Sequence, residues 1–410
     1  MKNLISVIIL SLFLVSLQNN NSDSRFVIAL VGNGLDLSGN APLADWPRNR
    51  SQAVAMAKGA EAAFYNSPQL EELRKIAVLK RYDDGDRDDL ATEIAHRLQK
   101  DPKVLAIVGH GTSSTSMAAG WIYAQAQIPM LMPIATNPRT MVSPVDSSRH
   151  LRNIFRLPPN DELVQVPTIA YLAMKVFYSR NVILVGDVSR GARIYSTFLV
   201  EALKRKMSQA NLIKTFEVDN DRPNFRDIAE FSRAQKSDLI IFCGYGTTAI
   251  NLLDGLRTAY NGINIERRPR IILSDGCKLE ELNTSGFHCY LTFPAPPASD
   301  LNDETGKDSK ILKQLLDSIP EPSYEIYGYD AMLLLAEATR RCGNSVGRTC
   351  LLDHLSAREA LRGLLFEYYF FGGENRNRWY YVYYSDPKIL NPKRRFKHFV
   401  TLTEKQFRRL

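Results

Sequence analysis

Short apolar runs alternate along this chain with longer segments of mixed polarity. Phe26 to Val31 is a continuous apolar run, broken by Gly32-Asn33-Gly34. An Ala-rich segment from Ala53 to Tyr65 follows, ended by Asn66-Ser67-Pro68, and reads as a helix. Ile76 to Tyr82 predicts the next strand. Asp88 to Lys100 carries Leu90, Ile94 and Leu98 at four-residue spacing, which is one apolar helix face. Val104 to Val108 predicts a strand stopped by Gly109, Ser116 to Gln125 a helix, and Pro129 to Pro133 a short buried strand.

The alternation then restarts. Strands are predicted at Val182 to Val185, Phe216 to Val218, Leu239 to Phe242 and Ile271 to Leu273. Helices are predicted between and after them, at Ile194 to Met207, Phe225 to Ala234 and Thr248 to Tyr260. Strands separated by helices imply parallel sheets covered on both faces. Two such runs predict an α/β fold of two doubly wound parallel-sheet lobes. No long Pro/Gly/Ser linker separates them, so they are expected to pack across a cleft. Pro294 to Asp308 reads as a polar connection and Ser323 to Arg341 as a helix. Leu364 to Phe371 and Trp379 to Tyr384, around Gly372-Gly373-Glu374-Asn375, read as an aromatic hairpin.

The amino terminus stands apart. Met1-Lys2 precedes an uncharged apolar run from Leu4 to Leu17, 14 residues long. A spanning helix needs about 20, so the run fits a signal-peptide core better. Residues 1–24 are read as a signal peptide or a retained N-terminal anchor, which places the rest outside the cytoplasm. The five cysteines match no zinc-site spacing, and no metal is expected. Cys342 and Cys350 flank a seven-residue loop that brings them within disulfide reach, and Cys277 and Cys289 are a second candidate pair. Cys243 ends an apolar strand and reads as a core thiol; in a reducing compartment all five stay thiols.

A net charge of +8 over 410 residues would ordinarily raise nucleic acid or an anionic membrane as a partner. The distribution removes that inference. Lys388 to Leu410 holds eight basic residues against Glu404 alone, a net +7, so the rest of the chain is nearly neutral. The excess is a basic C-terminal tail at residues 388–410, and no nucleic-acid partner is expected.

Open parallel sheets bind ligands at the carboxyl ends of their strands. Three predicted strands end in G-x-G: Gly32-Asn33-Gly34, Gly109-His110-Gly111 and Gly244-Tyr245-Gly246. None is G-x-G-x-x-G, so a dinucleotide fingerprint is absent and no cofactor is expected. After the second turn, Thr112-Ser113-Ser114-Thr115-Ser116 offers more hydroxyls than one helix cap needs, beside the free N–H groups of a helix start. That suits a carboxylate. Thr136, in Ala135-Thr136-Asn137-Pro138, adds a hydroxyl on the adjacent strand end. The other lobe offers Asp187, Tyr245 and Asp275 at equivalent strand ends, with Asp161 near the crossing between lobes, and these suit an ammonium. An α-amino acid carries both groups on one carbon.

No nucleophile elbow, H-E-x-x-H or Walker A is present, so no catalytic set is expected. His110 reads as a structural strand-end histidine. The acidic run Tyr82 to Asp89 lacks the spacing and closing Glu of a calcium loop and reads as a solvated turn.

Taken in order, these motifs resemble the type I periplasmic binding proteins of the Leu/Ile/Val-binding family, the solute receptors of ABC transporters. The resemblance runs from Phe26 to Tyr384. It rests on the opening strand with Leu37-Ser38-Gly39, Arg81-Tyr82-Asp83-Asp84, Val104 to His110, Tyr123 and Met130. Ala135-Thr136-Asn137-Pro138, Phe155-Arg156, Gly244-Tyr245, Asp275-Gly276 and the terminal aromatic segment complete it. It implies that Ser113 holds a ligand carboxylate, that Thr136 contacts carboxylate and ammonium, and that the Ile134 carbonyl accepts. It also implies Asp161 as a cleft acid, Tyr245 as a pocket aromatic, and Asp275 where the family often has a Glu for the ammonium. The chain departs from the pattern at Arg190-Gly191, where the family often has a Tyr; Arg190 is a candidate for a polar ligand side chain or a solvated helix start. Trp46, in a long first-lobe loop, is a further candidate.

The implied organisation is 25–157 with 299–363 as one lobe and 158–298 with 364–387 as the other. The implied protein is a monomeric, non-enzymatic, extracytoplasmic solute-binding protein that delivers an amino acid or close analogue to an ABC permease. The alternative is a membrane-anchored sensor of the same fold that signals to a partner protein.

Overall fold

The computed structural model describes residues 24–35, 52–189, 191–207, 212–221, 223–277, 286–296, 306–316, 323–357, 359–364, 366–375, 380–385, 387 and 396–402. Trp46, Arg190 and the N-terminal segment 1–23 lie outside these residues. Among the described residues no helix is long and apolar enough to cross a membrane.

Strands β1 (Phe26–Val31), β2 (Ala77–Tyr82), β3 (Val104–Gly109), β4 (Met130–Met132) and β5 (Ile154–Arg156) form a parallel sheet in the order β5-β4-β3-β1-β2. Strands β6 (Val182–Asp187), β7 (Leu212–Val218), β8 (Leu239–Cys243), β9 (Arg270–Leu273) and β10 (Cys289–Phe293) repeat the plan as β10-β9-β8-β6-β7. Strands β3, β6 and β8 are buried along their whole length, because helices cover both faces. That is why each opens as a continuous apolar run.

The main helices are α1 (Gln52–Asn66), α2 (Asp88–Lys100), α3 (Ser113–Gln125), α4 (Arg193–Lys206), α5 (Phe225–Ala234), α6 (Gly246–Ala259), α7 (Glu325–Cys342) and α8 (Arg348–Ser356). Helix α7 is buried on nearly every side. It crosses α1 backbone to backbone at two glycines. A methyl group on Gly59 would sit 1.8 Å from the Glu325 carbonyl oxygen, and one on Gly328 would sit 1.9 Å from that of Met56. Only glycine fits at this crossing.

Helix α3 begins three residues earlier than the sequence suggests. The Thr112 hydroxyl caps it by accepting from the Thr115 N–H at 3.3 Å. This places Ser113 in the first helical turn.

The aromatic hairpin differs from expectation. Beyond the small antiparallel pair β11 (Leu361–Arg362) and β12 (Glu367–Tyr368), β13 (Phe370–Phe371) and β14 (Glu374–Asn375) close at once about Gly372 and Gly373. Both glycines have positive φ, +60° and +82°, which a tight two-residue hairpin turn requires. Strand β14 pairs with β5, so residues 370–375 extend the first sheet, whereas the sequence reading grouped them with the second lobe. The chain then crosses, and β15 (Tyr380–Ser385) joins the second sheet antiparallel to β10. Part of the basic tail is also structured: β16 (Phe396–Leu402) pairs with β15 at the sheet edge, as its aromatic and β-branched residues permit.

Cys342 and Cys350 are joined by a disulfide, with Cα atoms 5.9 Å apart, linking the end of α7 to α8. The second candidate pair does not form. Cys289 opens β10 opposite Ile271, while Cys277 lies past the far end of β9 and its thiol meets the Gly244 carbonyl at 3.6 Å. Parallel pairing therefore holds these two at opposite ends of one strand pair.

Candidate functional site

The carboxyl ends of the two sheets meet at a narrow, nearly filled cavity. Thr112 and Ser113 line it from the start of α3, Ile134, Ala135 and Thr136 from the turn after β4, and Gln52 from the start of α1. Tyr195 of α4, Tyr245 and Asp275 from the turns after β8 and β9, and Tyr324 ahead of α7 line the other side. A larger open groove, around Trp121, Arg149, His150 and Leu352, is lined by first-lobe residues alone and so does not join the two sheets.

The lobes are in contact here. Gln52 Nε2 donates to the Asp275 carbonyl at 2.9 Å, and Asn137 Nδ2 donates to the Ile194 carbonyl at 3.3 Å. Asp86 presses on Gly191, where a methyl group would sit 2.2 Å from the carboxylate. Gly191 also has φ +81°, so a side chain is disfavoured on both counts.

On the first-lobe side the chemistry is that of a helix start. The N–H groups of the first turn of α3 have no intrahelical partner and carry partial positive charge. The hydroxyls after Gly111 divide their roles. Thr112 caps, Thr115 bonds back to Thr112, and Ser114 donates to Asp88 at 2.6 Å, which leaves Ser113 on the cavity. Most of the apparent excess of hydroxyls is thus structural.

The turn that carries Thr136 is held from behind by Arg156, which is fully buried. Its guanidinium donates to the carbonyls of Ala135 and Asn137 at 3.0 Å each and to Thr140 Oγ1 at 2.9 Å, and it faces Glu374 at 3.0 Å. One cation fixes three points of the loop, which suits the planar five-donor fork of arginine.

The opposite side is acidic and aromatic. Asp275 accepts from Tyr195 at 2.6 Å and from Tyr324 and Tyr380 at 3.1 Å each. Tyr195 stacks on Tyr245 with ring centres 5.9 Å apart. Burial pushes the Asp275 carboxyl above its usual range, against the pull of these hydroxyls and Gln165. Burial likewise raises the phenols of Tyr195, Tyr245 and Tyr324, so they remain neutral donors.

Asp161 does not line the cavity. It sits fully buried behind Thr136, whose carbonyl accepts its N–H at 3.0 Å. It opens a wide helical turn in which the Val166 N–H reaches back five residues to the Asp161 carbonyl. Neither carboxylate oxygen receives a well-formed hydrogen bond, although Thr136 is close enough to favour the charged form. Burial, then the neighbouring Asp275 charge, raises its pKa well above the usual range.

Asp187 is structural. It accepts from the backbone N–H groups of Ser189 and Tyr245. His110 is held between Asp84 and Tyr123, at 2.8 and 3.2 Å, inside the first lobe. Sequence reasoning missed Gln52, Tyr195, Tyr324 and Tyr380. The one signal available was the aromatic density around Tyr324-Glu325-Ile326-Tyr327 and Tyr380 to Tyr384.

A family model described as periplasmic binding protein matches residues 49–384. An amino acid binding protein of Pseudomonas aeruginosa is 25% identical over 277 residues, 66% of this chain and 68% of its own. In three dimensions the chain is similar to a leucine binding protein, LivK, from Thermotoga maritima. The TM-score is 0.72 at 18% identity, over 92% of this chain and 99% of that one. It is also similar to the branched-chain amino acid transporter substrate binding protein LivJ of Streptococcus pneumoniae, solved with isoleucine. There the TM-score is 0.70 at 16% identity, over 92% and 99% of the two chains.

Proposed function

The chain belongs to the periplasmic binding protein family, and we propose that it captures an amino acid or close analogue in the cleft between its lobes. The observation that carries this reading is the opposition of chemistries across one small cavity. The start of α3 with Ser113 and Thr136 faces Asp275 and its tyrosines. A ligand carboxylate would lie on the α3 N-terminus, with Ser113 and Thr136 donating. Its ammonium would donate to Asp275, the Thr136 hydroxyl and the Ile134 carbonyl, with Tyr245 against the side chain. No bond is made or broken. Capture is read out as lobe closure, with Gln52, Asn137 and Asp86 forming the contacts of the closed form.

The relatives that carry amino acid binding or transporter names support delivery to an ABC permease from an extracytoplasmic position. The apolar run from Leu4 to Leu17 also favours export. If the run is retained, the same receptor would be tethered, and sequencing the mature N-terminus separates the two forms. Isothermal titration with the common L-amino acids, each beside its 2-hydroxy and decarboxylated analogues, tests the reading. Saturable heat is expected from an amino acid and not from either analogue. A folded protein that gives no heat across the panel overturns it.

A further inference from the structure

The walls of the cavity leave little room for a ligand side chain. With the lobes in contact, about 20 Å³ of free space remains, on the order of what one water molecule fills. A ligand gains its room by displacing wall, and parts of the wall are tied down. A carboxylate and an ammonium would lie at the start of α3 and at the turn with Ile134 and Thr136. Beyond them a ligand side chain would meet Gln52, Tyr195, Tyr245, Gly276 and Tyr324.

The Tyr195 hydroxyl donates to Asp275 at 2.6 Å and lies 3.3 Å from Gln165 Oε1. Tyr324 donates to Asp275 at 3.1 Å, and its ring packs on Phe293 with centres 4.8 Å apart. Gln52 is held on the Asp275 carbonyl at 2.9 Å. Pushing any of these three aside breaks a hydrogen bond, and a buried group left unpaired costs more than the bond itself contributes. Tyr245 stacks on Tyr195. A methyl group on Gly276 would sit 2.6 Å from the Tyr245 ring, so that ring already rests on bare backbone. The lining is also short of apolar partners. Among the described residues its aliphatic members are Ile134 and Ala135; the rest are glycines, hydroxyls, an amide, an acid and these packed phenols. A branched hydrocarbon side chain would overpack the wall and gain little contact in return.

We infer that the cleft selects small α-amino acids, namely glycine, alanine and serine, and rejects the branched-chain ones, the tyrosines that hold Asp275 serving also as the size limit. The inference rests on the amino-acid reading above and narrows it to a side chain no larger than that of serine.

The test is titration calorimetry of the full chain with the L-amino acids and glycine. One of the three small ligands should bind about tenfold or more tighter than valine, leucine or isoleucine, the scale on which a fixed pocket discriminates by a methylene. Tyr245 is not among the hydroxyls that Asp275 receives. Tyr245→Ala therefore widens the side-chain space and leaves those bonds in place. Its affinity for leucine relative to alanine should rise by about tenfold or more. A larger amino acid bound by the wild-type protein as tightly as the small ones overturns the size limit, and this comparison needs no variant. A folded Tyr245→Ala protein with an unchanged ratio overturns the assignment of the wall. Silence of the folded wild-type protein across the whole panel overturns instead the reading on which the inference rests.

Discussion

Gln52 Nε2 donates to the backbone carbonyl of Asp275 across 2.9 Å, tying the first turn of α1 to the turn after β9. The bond spans 223 residues of sequence and joins the two lobes at the cavity wall. A net hydrogen bond of this kind contributes about 0.5–1.5 kcal/mol. Gln52→Ala should therefore weaken ligand binding by about two- to tenfold and leave the melting temperature of the unliganded protein nearly unchanged. Calorimetry beside thermal denaturation checks both. An unchanged affinity would remove this contact from the closed form.

Asp275→Asn keeps an acceptor for the three tyrosines while removing the charge. Losing one partner of a buried charge pair costs about 2–5 kcal/mol, so affinity for an amine should fall by about thirtyfold or more. The fold should persist, because Tyr195, Tyr324 and Tyr380 retain an oxygen to meet. Near-ultraviolet circular dichroism monitors that packing. Equal affinity in the variant would take Asp275 out of the site.

Arg156→Lys retains one positive charge but replaces a fork with a single ammonium. It cannot satisfy Ala135, Asn137, Thr140 and Glu374 together. The expected result is a loss of about 3–5 kcal/mol in stability, the usual range for breaking a buried charged network. Ligand binding should weaken as well, because Thr136 loses its support. Urea denaturation measures the first effect. A variant as stable as the parent would contradict the positioning role.

These contacts show where sequence reasoning reaches its limit. Val104–Gly109 and Asp88–Lys100 announce themselves, because one is a continuous apolar run and the other repeats its apolar face every four residues. Ser113, Thr136 and Asp275 were legible as chemistry at strand ends. The tyrosine cage was not. Tyr195, Tyr324 and Tyr380 lie 80, 49 and 105 residues from Asp275, and no local period encodes their convergence. Strand β5 has three residues and no alternation of its own to display. The aromatic hairpin misled for the opposite reason. Its residues are strong strand formers, yet the tight turn at Gly372-Gly373 pairs only the nearest ones, while Glu367–Tyr368 pair with Leu361–Arg362 and Tyr380–Ser385 join the other sheet.

The Asp86 carboxyl is pushed up to about 6 from 3.8, chiefly by burial, with Thr112 opposing and Asp84 and Asp88 adding to the rise. A carboxyl raised in the native state favours the protonated form there. Its contribution to stability is complete below pH 3.8 and is lost as pH rises through about 6. Asp86→Asn should therefore melt at a higher temperature than the parent above about pH 6, with the gap closing towards pH 3.8. A melting-temperature series across pH decides. A gap that stays constant would show that Asp86 does not titrate in this range.

The Cys342–Cys350 bond closes a short loop between α7 and α8, with a sequence separation of 8. Loop closure on that scale contributes about 2–3 kcal/mol. The paired change Cys342→Ser with Cys350→Ser should lower the melting temperature while leaving ligand affinity intact, since neither residue lines the cleft. Weakened binding in the paired variant would contradict that separation.

The most direct measurement is a crystal structure of the protein with the best-binding amino acid of the panel. The account predicts the carboxylate on the first turn of α3, within hydrogen-bond reach of Ser113 and Thr136, and the ammonium against Asp275. A ligand bound in the reverse orientation, or bound outside the cleft, would contradict it.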